Sequence, residues 1–366
     1  MALTNFTNLT TEEKTVWSRD LWMAARNASF TARFTGRGPN SMIQRITELT
    51  KSEKGDRAVL TLVADLEGDG VVGDSTMENN EEAIKAFDTV ITIDQLRNAN
   101  RLAGRMADQK SVVNFRGTSK DVLAYWLADR IDQMSFLTMS GVAYTQTNNG
   151  EVRPVNPTGR NLNDLAFASD VTTPSTGRWR RWDATLGLQA GSTVAVEAAD
   201  TPSWPMLVEV KAFLKDQYVR GIKGPGGTEF YHVFMTPQGI AQLKQDSDFL
   251  SNLRNAGPRG TENPLFSGSM ITQDGLIIHE FRHVYSVSAA WGAGANVDGQ
   301  AVLFCGAQAL GMADIGLPYW DEETFDYGNQ HGVSVGKIFG MLKPVFNSIY
   351  ADADEDFGLI RVDTAL

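Results

Sequence analysis

Reactive side chains are scarce in this sequence, and the scarcity excludes a good deal. Its 366 residues include one cysteine, Cys305, and four histidines. A single thiol rules out an internal disulfide and any cysteine-cluster metal site within one chain, and it suits a reducing cytoplasm. No apolar run approaches the ~18 to 20 residues needed to cross a bilayer. The opening MALTNFTNLTTEEK has neither the basic start nor the apolar stretch of a signal peptide. Positive charge is also short: 33 Lys and Arg against 44 Asp and Glu leave a net charge of −11. That argues against a dedicated nucleic-acid binder, although local basic spots can still meet DNA. There is no Gly-rich phosphate loop, nucleophile elbow or credible catalytic triad, and Cys305 lies in an apolar run where a thiol is inert. The remaining composition, 42% hydrophobic and 21% charged, is that of a soluble protein with core enough for two or three lobes.

The strongest pattern is TSKDVLAYWLADRIDQMSFLTMSG, residues 118–141. Leu123, Trp126, Leu127, Ile131, Met134 and Leu137 fall at spacings of three and four, which predicts a helix of roughly 33 Å. Thr118 or Ser119 can cap it, Asp121 suits its first turn, and Gly141 ends it. Lys120, Asp129, Asp132 and Gln133 are expected on a solvated back. Before it, residues 1–10 read as a polar arm, and a helix opens at Thr11 with Trp17, Leu21, Ala24 and Ala28 as its stripe. Ile43–Leu49 reads as a loose strand. AVLTLVADL (58–66) and FDTVITI (87–93) flank acidic, glycine-rich turn chemistry, so they predict a long extended hairpin that needs something to lie on. Arg105–Phe115 reads as a short helix.

From Val142 to Gly191 the pattern dissolves into Asn, Thr, Gly, Pro and Ser, the composition of a long loop or insertion. Beyond it a helix is expected over Pro205–Tyr218 with Ser203 as cap, then a strand FYHVFM, helices from Pro237 and Ser247, and strands over 275–285 and 301–310. The late strands 333–342 and 345–349 are expected to pair, and 357–363 closes the chain. There is no regular βαβ order, so the class is α+β.

Three motifs suggest chemistry. His279-Glu280-Phe281-Arg282-His283 matches H-E-x-x-H, which as a zinc protease needs both imidazoles one helical turn apart with the glutamate as base. Its flanks, however, are β-branched and aromatic, and in a strand the two histidines would stand roughly 13 Å apart. Asp65 to Gly70 resembles the start of an EF-hand loop, but Thr76 occupies the place of the bidentate Glu. An acidic turn is preferred. Arg178-Trp179-Arg180-Arg181-Trp182 is the one dense basic and aromatic cluster, suited either to phosphate contact with stacking or to a subunit interface; the interface is preferred.

The order of these parts is itself informative, together with several blocks: VITIDQLRNANRLAGRMADQ before the long helix, FYHVFMTPQGIAQLKQD, ENPLFSG followed by GLIIHE, and DYGNQHGVSVGKIFGMLKPVFN. Together they resemble the major capsid proteins of tailed double-stranded DNA phages, the Hong Kong 97 capsid fold family, over most of the chain from Thr11 except 142–191. The resemblance implies a map. Residues 1–35 would be the N-terminal arm and 36–104 the E-loop hairpin with flanking strands. A peripheral domain with its spine helix and insertion would span 105–204, an axial domain 205–328, and returning strands 329–366. It implies a shell of hexamers and pentamers of this chain, assembled in the host cytoplasm and residing in the virion. The implied partners are a scaffolding protein, a portal protein, possible decoration proteins and packaged DNA on the inner face, with no membrane. No long helical prodomain precedes the arm, so a separate scaffold or earlier processing is expected. No catalytic residue, cofactor or metal is implied. The functional residues would be contacts, with Trp17, Asp65, Asp69, Asp74, Arg178, Trp179, Arg180, Arg181 and Trp182 as candidates. The alternatives are an encapsulin-like nanocompartment shell of the same fold and a zinc metalloprotease through His279, Glu280 and His283.

Overall fold

A computed structural model describes residues 19–25, 28–47, 55, 57–63, 68–83, 86–110, 115–155, 160–256, 271–348 and 353–366. Its axis is the predicted helix, which runs Phe115–Ser140. Leu123, Leu127, Ile131, Met134 and Leu137 are buried along the expected stripe, with Trp126 half-buried beside them. From Met134 onward every residue of the helix is buried. The hydroxyls there are satisfied locally, Ser135 donating to the Ile131 carbonyl and Thr138 to the Met134 carbonyl, each at 2.8 Å. Gly141 ends the helix at φ +67°, and a Cβ there would sit 2.6 Å from the Thr172 carbonyl oxygen. Only glycine meets both demands.

Two sheets surround this helix. The first runs Thr35–Gly36, Ile43–Ile46, Leu310–Asp314, Gln330–Leu342, Tyr319–Phe325, with Asp94–Arg101 also paired to Gln330–Leu342. The second, of nine strands, runs Ile271–Gln273, Leu276–Glu280, Glu229–Met235, Val297–Cys305, Leu359–Ala365, Trp179–Asp183, Gly187–Ala190. Ser286–Trp291 and Ile222–Lys223 attach to it at Val297–Cys305 and Glu229–Met235.

Period-two alternation explains why the central strands read as unbroken apolar runs. Ala301, Leu303 and Cys305 face the core shared with the long helix, whereas Val302 and Phe304 face a second core. The second core is built with Met206, Leu207, Val210 and Leu214 of the helix Trp204–Asp216 and with Ile240, Leu243 and Phe249 from the helices Pro237–Gln245 and Ser247–Ala256. The sheet is thus a middle layer, and Cys305 is fully buried in it, its thiol pushed up by burial.

Several expectations need correction. The long helix begins at Phe115, so Thr118 and Ser119 lie within it and neither caps it. The segment 142–191 is not a detached loop: Trp179–Asp183 pairs in parallel with Leu359–Ala365 and belongs to the nine-stranded sheet. The late strands do not pair with each other; Gln330–Leu342 pairs with Tyr319–Phe325, and Val345–Ser348 with Ala353–Asp356. Ser203 makes no capping bond, and Asp246 instead accepts from the Trp204 N–H at 2.7 Å. Asp132 is buried, not solvated. The strand Asp94–Arg101, which has no apolar run to announce it, is an addition.

Candidate assembly surfaces

The hairpin predicted from 58–66 and 87–93 forms between Arg57–Val63 and Ala86–Thr92, in the register Arg57↔Thr92 to Val63↔Ala86. Its base is anchored, since Ala58, Leu60 and Ile91 pack with Ile46, Ala313 and Leu342 in a small core. Its opposite face is bare: Val59 and Val90, directly paired, are both exposed. Beyond the strands, Asp69, Asp74, Glu78 and Glu81 are exposed, and Val72 and Met77 are 81% and 67% accessible. Glu82 accepts from the Gly68 N–H at 2.7 Å, tying the two sides of the tip. Asp65 lies outside the described residues.

A second surface is the seam where residues 19–25 and 28–36 lie on the body. Asp132 of the long helix accepts from the Ser29 hydroxyl at 2.7 Å, the Phe30 N–H at 2.8 Å, the Thr31 N–H at 3.1 Å and the Thr31 hydroxyl at 2.5 Å. Four donors on one buried carboxylate make a strong clamp. Phe30 stacks on Phe281 with centroids 4.1 Å apart, and Phe34 meets His232 and His279 edge-on, each at 4.9 Å. Trp22 covers the ammonium of fully buried Lys337 at 3.8 Å, and Lys337 bonds Asp314, which also pairs with Arg45 at 2.6 Å. Leu21 and Ala25 are the buried positions of this helix, while Ala24 is half-buried and Ala28 exposed. Trp17 lies outside the described residues.

The H-E-x-x-H motif sits on no helix. His279 is in the strand Leu276–Glu280 and His283 in the turn after it. The two imidazoles serve different partners: His279 Nε2 lies 2.9 Å from His232 Nδ1, and His283 Nε2 lies 2.7 Å from Asp129 Oδ1. The His283 bond holds the Asp129 carboxyl below the usual carboxylate range. His232 and His279 meet because Glu229–Met235 and Leu276–Glu280 are parallel neighbours, a proximity invisible to spacing along the chain. Burial pushes both down to about 4, aided by His279 for His232 and by Arg33 for His279. Among the described residues no group of three or more His, Cys, Asp or Glu could hold a metal ion.

The basic and aromatic cluster is woven into the subunit. Arg178 is buried, pairs with Glu355 at 3.1 Å and donates to the Gln217 carbonyl at 3.1 Å. Trp179 Nε1 donates to Asp363 at 2.6 Å, and Trp182 is 4% exposed in the second core. Arg180 lies over the Phe213 ring at 4.4 Å, and Arg181 bonds Asp183 at 3.0 Å. Trp179, Arg180 and Arg181 keep partly exposed faces.

The layered α+β body thus carries a hairpin packed at its base and bare on its other face. Residues 5–366 match the phage capsid protein family, and the chain belongs to it. It is 56% identical over 370 residues to the major capsid protein of Pseudomonas phage KPP25, covering 99% of this chain and 97% of that one. It is also similar to the capsid of Ralstonia phage GP4, at TM-score 0.74 and 28% identity over 92% of this chain and 90% of that one. The capsid asymmetric unit of cyanophage Pam1 shares the fold, at TM-score 0.71 and 18% identity over 99% of each chain. The protein is therefore a phage major capsid protein, a structural shell component of the virion, with a mixed α+β fold of the Hong Kong 97 type. The family match and the KPP25 relative set the encapsulin alternative aside.

Proposed function

We propose that this subunit closes hexamers and pentamers by laying its hairpin, residues 57–92, across a neighbouring copy. The observation that carries the reading is the hairpin itself, buried only at its base and bare along Val59, Val90, Val72 and Met77. Two isolated strands are marginal in water and gain stability when their open face is covered. In this reading residues 1–35 are the arm, 36–104 the E-loop unit, 105–204 the peripheral domain, 205–328 the axial domain and 329–366 the returning strands. Trp17, Asp65, Asp69, Asp74 and the partly exposed faces of Trp179, Arg180 and Arg181 supply contacts between copies, while Arg178 and Trp182 support them from within. The chain carries out no catalysis; it encloses DNA, and its net negative charge lets the genome slide past the wall. A scaffolding protein and a portal act during assembly in the host cytoplasm, and decoration proteins are compatible with the outer face.

The test replaces residues 64–85 by a two-residue Asn-Gly turn. The expected product is a folded subunit, judged by melting, that stays unassembled in sedimentation and electron microscopy. Shells of normal size and yield from this variant would overturn the reading.

A further inference from the structure

Among the described residues two lysines are fully buried, and each meets an aspartate: Lys337 with Asp314, and Lys343 with Asp356. The two pairs are built differently. Asp314 is shared with Arg45, and the Lys337 ammonium lies under the Trp22 ring, an arrangement suited to charged groups. Around Lys343 and Asp356 the nearby guanidinium groups are committed elsewhere, Arg178 to Glu355 and Arg361 to Asp363. Both side chains of this second pair are 1% accessible. Burial pushes the Lys343 ammonium down and the Asp356 carboxyl up, against the pull of each on the other. The proton then rests on the carboxyl, which leaves an amine beside a carboxylic acid.

The geometry brings these two groups together for reaction. Lys343 Nζ lies 2.8 Å from Asp356 Oδ1 and 2.9 Å from Oδ2. Reaching both oxygens almost equally places it within roughly 3.3 Å of Cγ, a near-attack separation. The Ser175 N–H donates to Oδ2 at 3.2 Å, and the Asp356 N–H donates back to Ser175 Oγ at 3.1 Å. Nζ also donates to the Thr173 carbonyl at 3.3 Å. Oδ1 has no hydrogen-bond partner among the described residues.

We infer that Lys343 and Asp356 join in an amide bond within each chain, made by the folded subunit itself. The Nζ lone pair adds to Cγ, and the Ser175 N–H stabilises the negative charge gathering on Oδ2. One proton passes from Nζ to the Oδ1 hydroxyl, the Cγ–Oδ1 bond breaks, and that oxygen leaves as water. No oxidant or other reactant is consumed. The product keeps the hydrogen bonds already in place, the amide N–H to Thr173 and the amide oxygen from Ser175. Burial then withholds bulk water from the reverse step. Lys343 directly follows Gln330–Leu342 of the first sheet, and Asp356 precedes Leu359–Ala365 of the second. The bond therefore braces the two sheets by a link far shorter than the backbone between them.

The test is the intact mass of the full-length protein, as unassembled subunits and as shells. After allowance for removal of the first methionine, nearly every chain is expected to be lighter than its sequence by one water. Chymotrypsin cuts after Phe346 and Tyr350, which lie between the two residues. The denatured, digested protein should keep the fragments bearing Lys343 and Asp356 joined, with no link at Lys337. Lys343→Arg retains the positive charge and cannot make the bond, so its chains should show the full sequence mass whether or not they fold. A full mass in wild-type subunits and shells overturns the inference. So does a lost water with the chymotryptic fragments separate, which is dehydration within one residue. A lost water that persists in Lys343→Arg, or a link at Lys337 instead, overturns it as well.

Discussion

Arg178, Arg180 and Arg181 stand almost side by side in sequence, whereas Arg97, Arg130, Arg153, Arg160 and Arg282 are scattered over about half the chain. The compact set is tied to partners within the subunit, Glu355, Phe213 and Asp183, while Arg180 and Arg181 keep partly exposed faces. The scattered set shows no pattern in sequence, yet it lines one open groove. Clustering in sequence reports local composition; clustering in space is decided by which strands and loops become neighbours.

The contrast can be broken most directly at Arg178. Arg178→Ala leaves Glu355 buried without its guanidinium, a type of loss that costs about 3 to 5 kcal/mol, so thermal melting of unassembled subunits should drop sharply or soluble yield collapse. If it melts like the wild type, the cluster is not part of the core. Asp132→Asn comes next. It removes the charge from a carboxylate that accepts four hydrogen bonds, and charged hydrogen bonds contribute about 1.5 to 3 kcal/mol. Amide exchange should speed up at residues 28–36 while the strands of the nine-stranded sheet stay protected; uniform acceleration would show the clamp to be global.

A third test uses pH. His232 and His279 are pushed down to about 4 by burial, while an unfolded imidazole titrates near ~6.5. Between those values the unfolded chain binds more protons, so stability is complete above about pH 6.5 and falls progressively toward pH 4. His279→Phe, which keeps the aromatic packing, should flatten the melting temperature across that window; an unchanged slope would assign the pH dependence to other groups. The smallest effect is expected at Arg97, where the exposed Arg97→Ala should stay within about 0.5 kcal/mol of wild type for folding.

Much of the architecture was legible because it is written at short range. The long helix, the hairpin strands and the helices at 204–216 and 237–245 each carry a periodicity or a turn signal of their own. Their partners were not legible. Asp132 reads as one more polar position until Ser29, Phe30 and Thr31 arrive from about a hundred residues away. Trp179–Asp183 has little apolar pattern, because Trp179 and Arg178 satisfy Asp363 and Glu355 where other strands bury aliphatic side chains. The H-E-x-x-H motif was rightly read as strand at His279, but its real neighbour, His232, becomes visible only once two strands are known to be parallel.

The strand Leu359–Ala365 has a further meaning for how the subunit is made. It lies between Val297–Cys305 and Trp179–Asp183, and all seven of its residues are buried. Its parallel partner is synthesised some 180 residues earlier, which at about 5 to 20 residues per second is a wait on the order of ten seconds or more. During that interval Trp179–Asp183 has no slot to fill, and the edge of Val297–Cys305 stays open. A chain that stops before Leu359 therefore lacks an interior strand of this sheet, and Trp179–Asp183 loses the partner that joins it to Val297–Cys305.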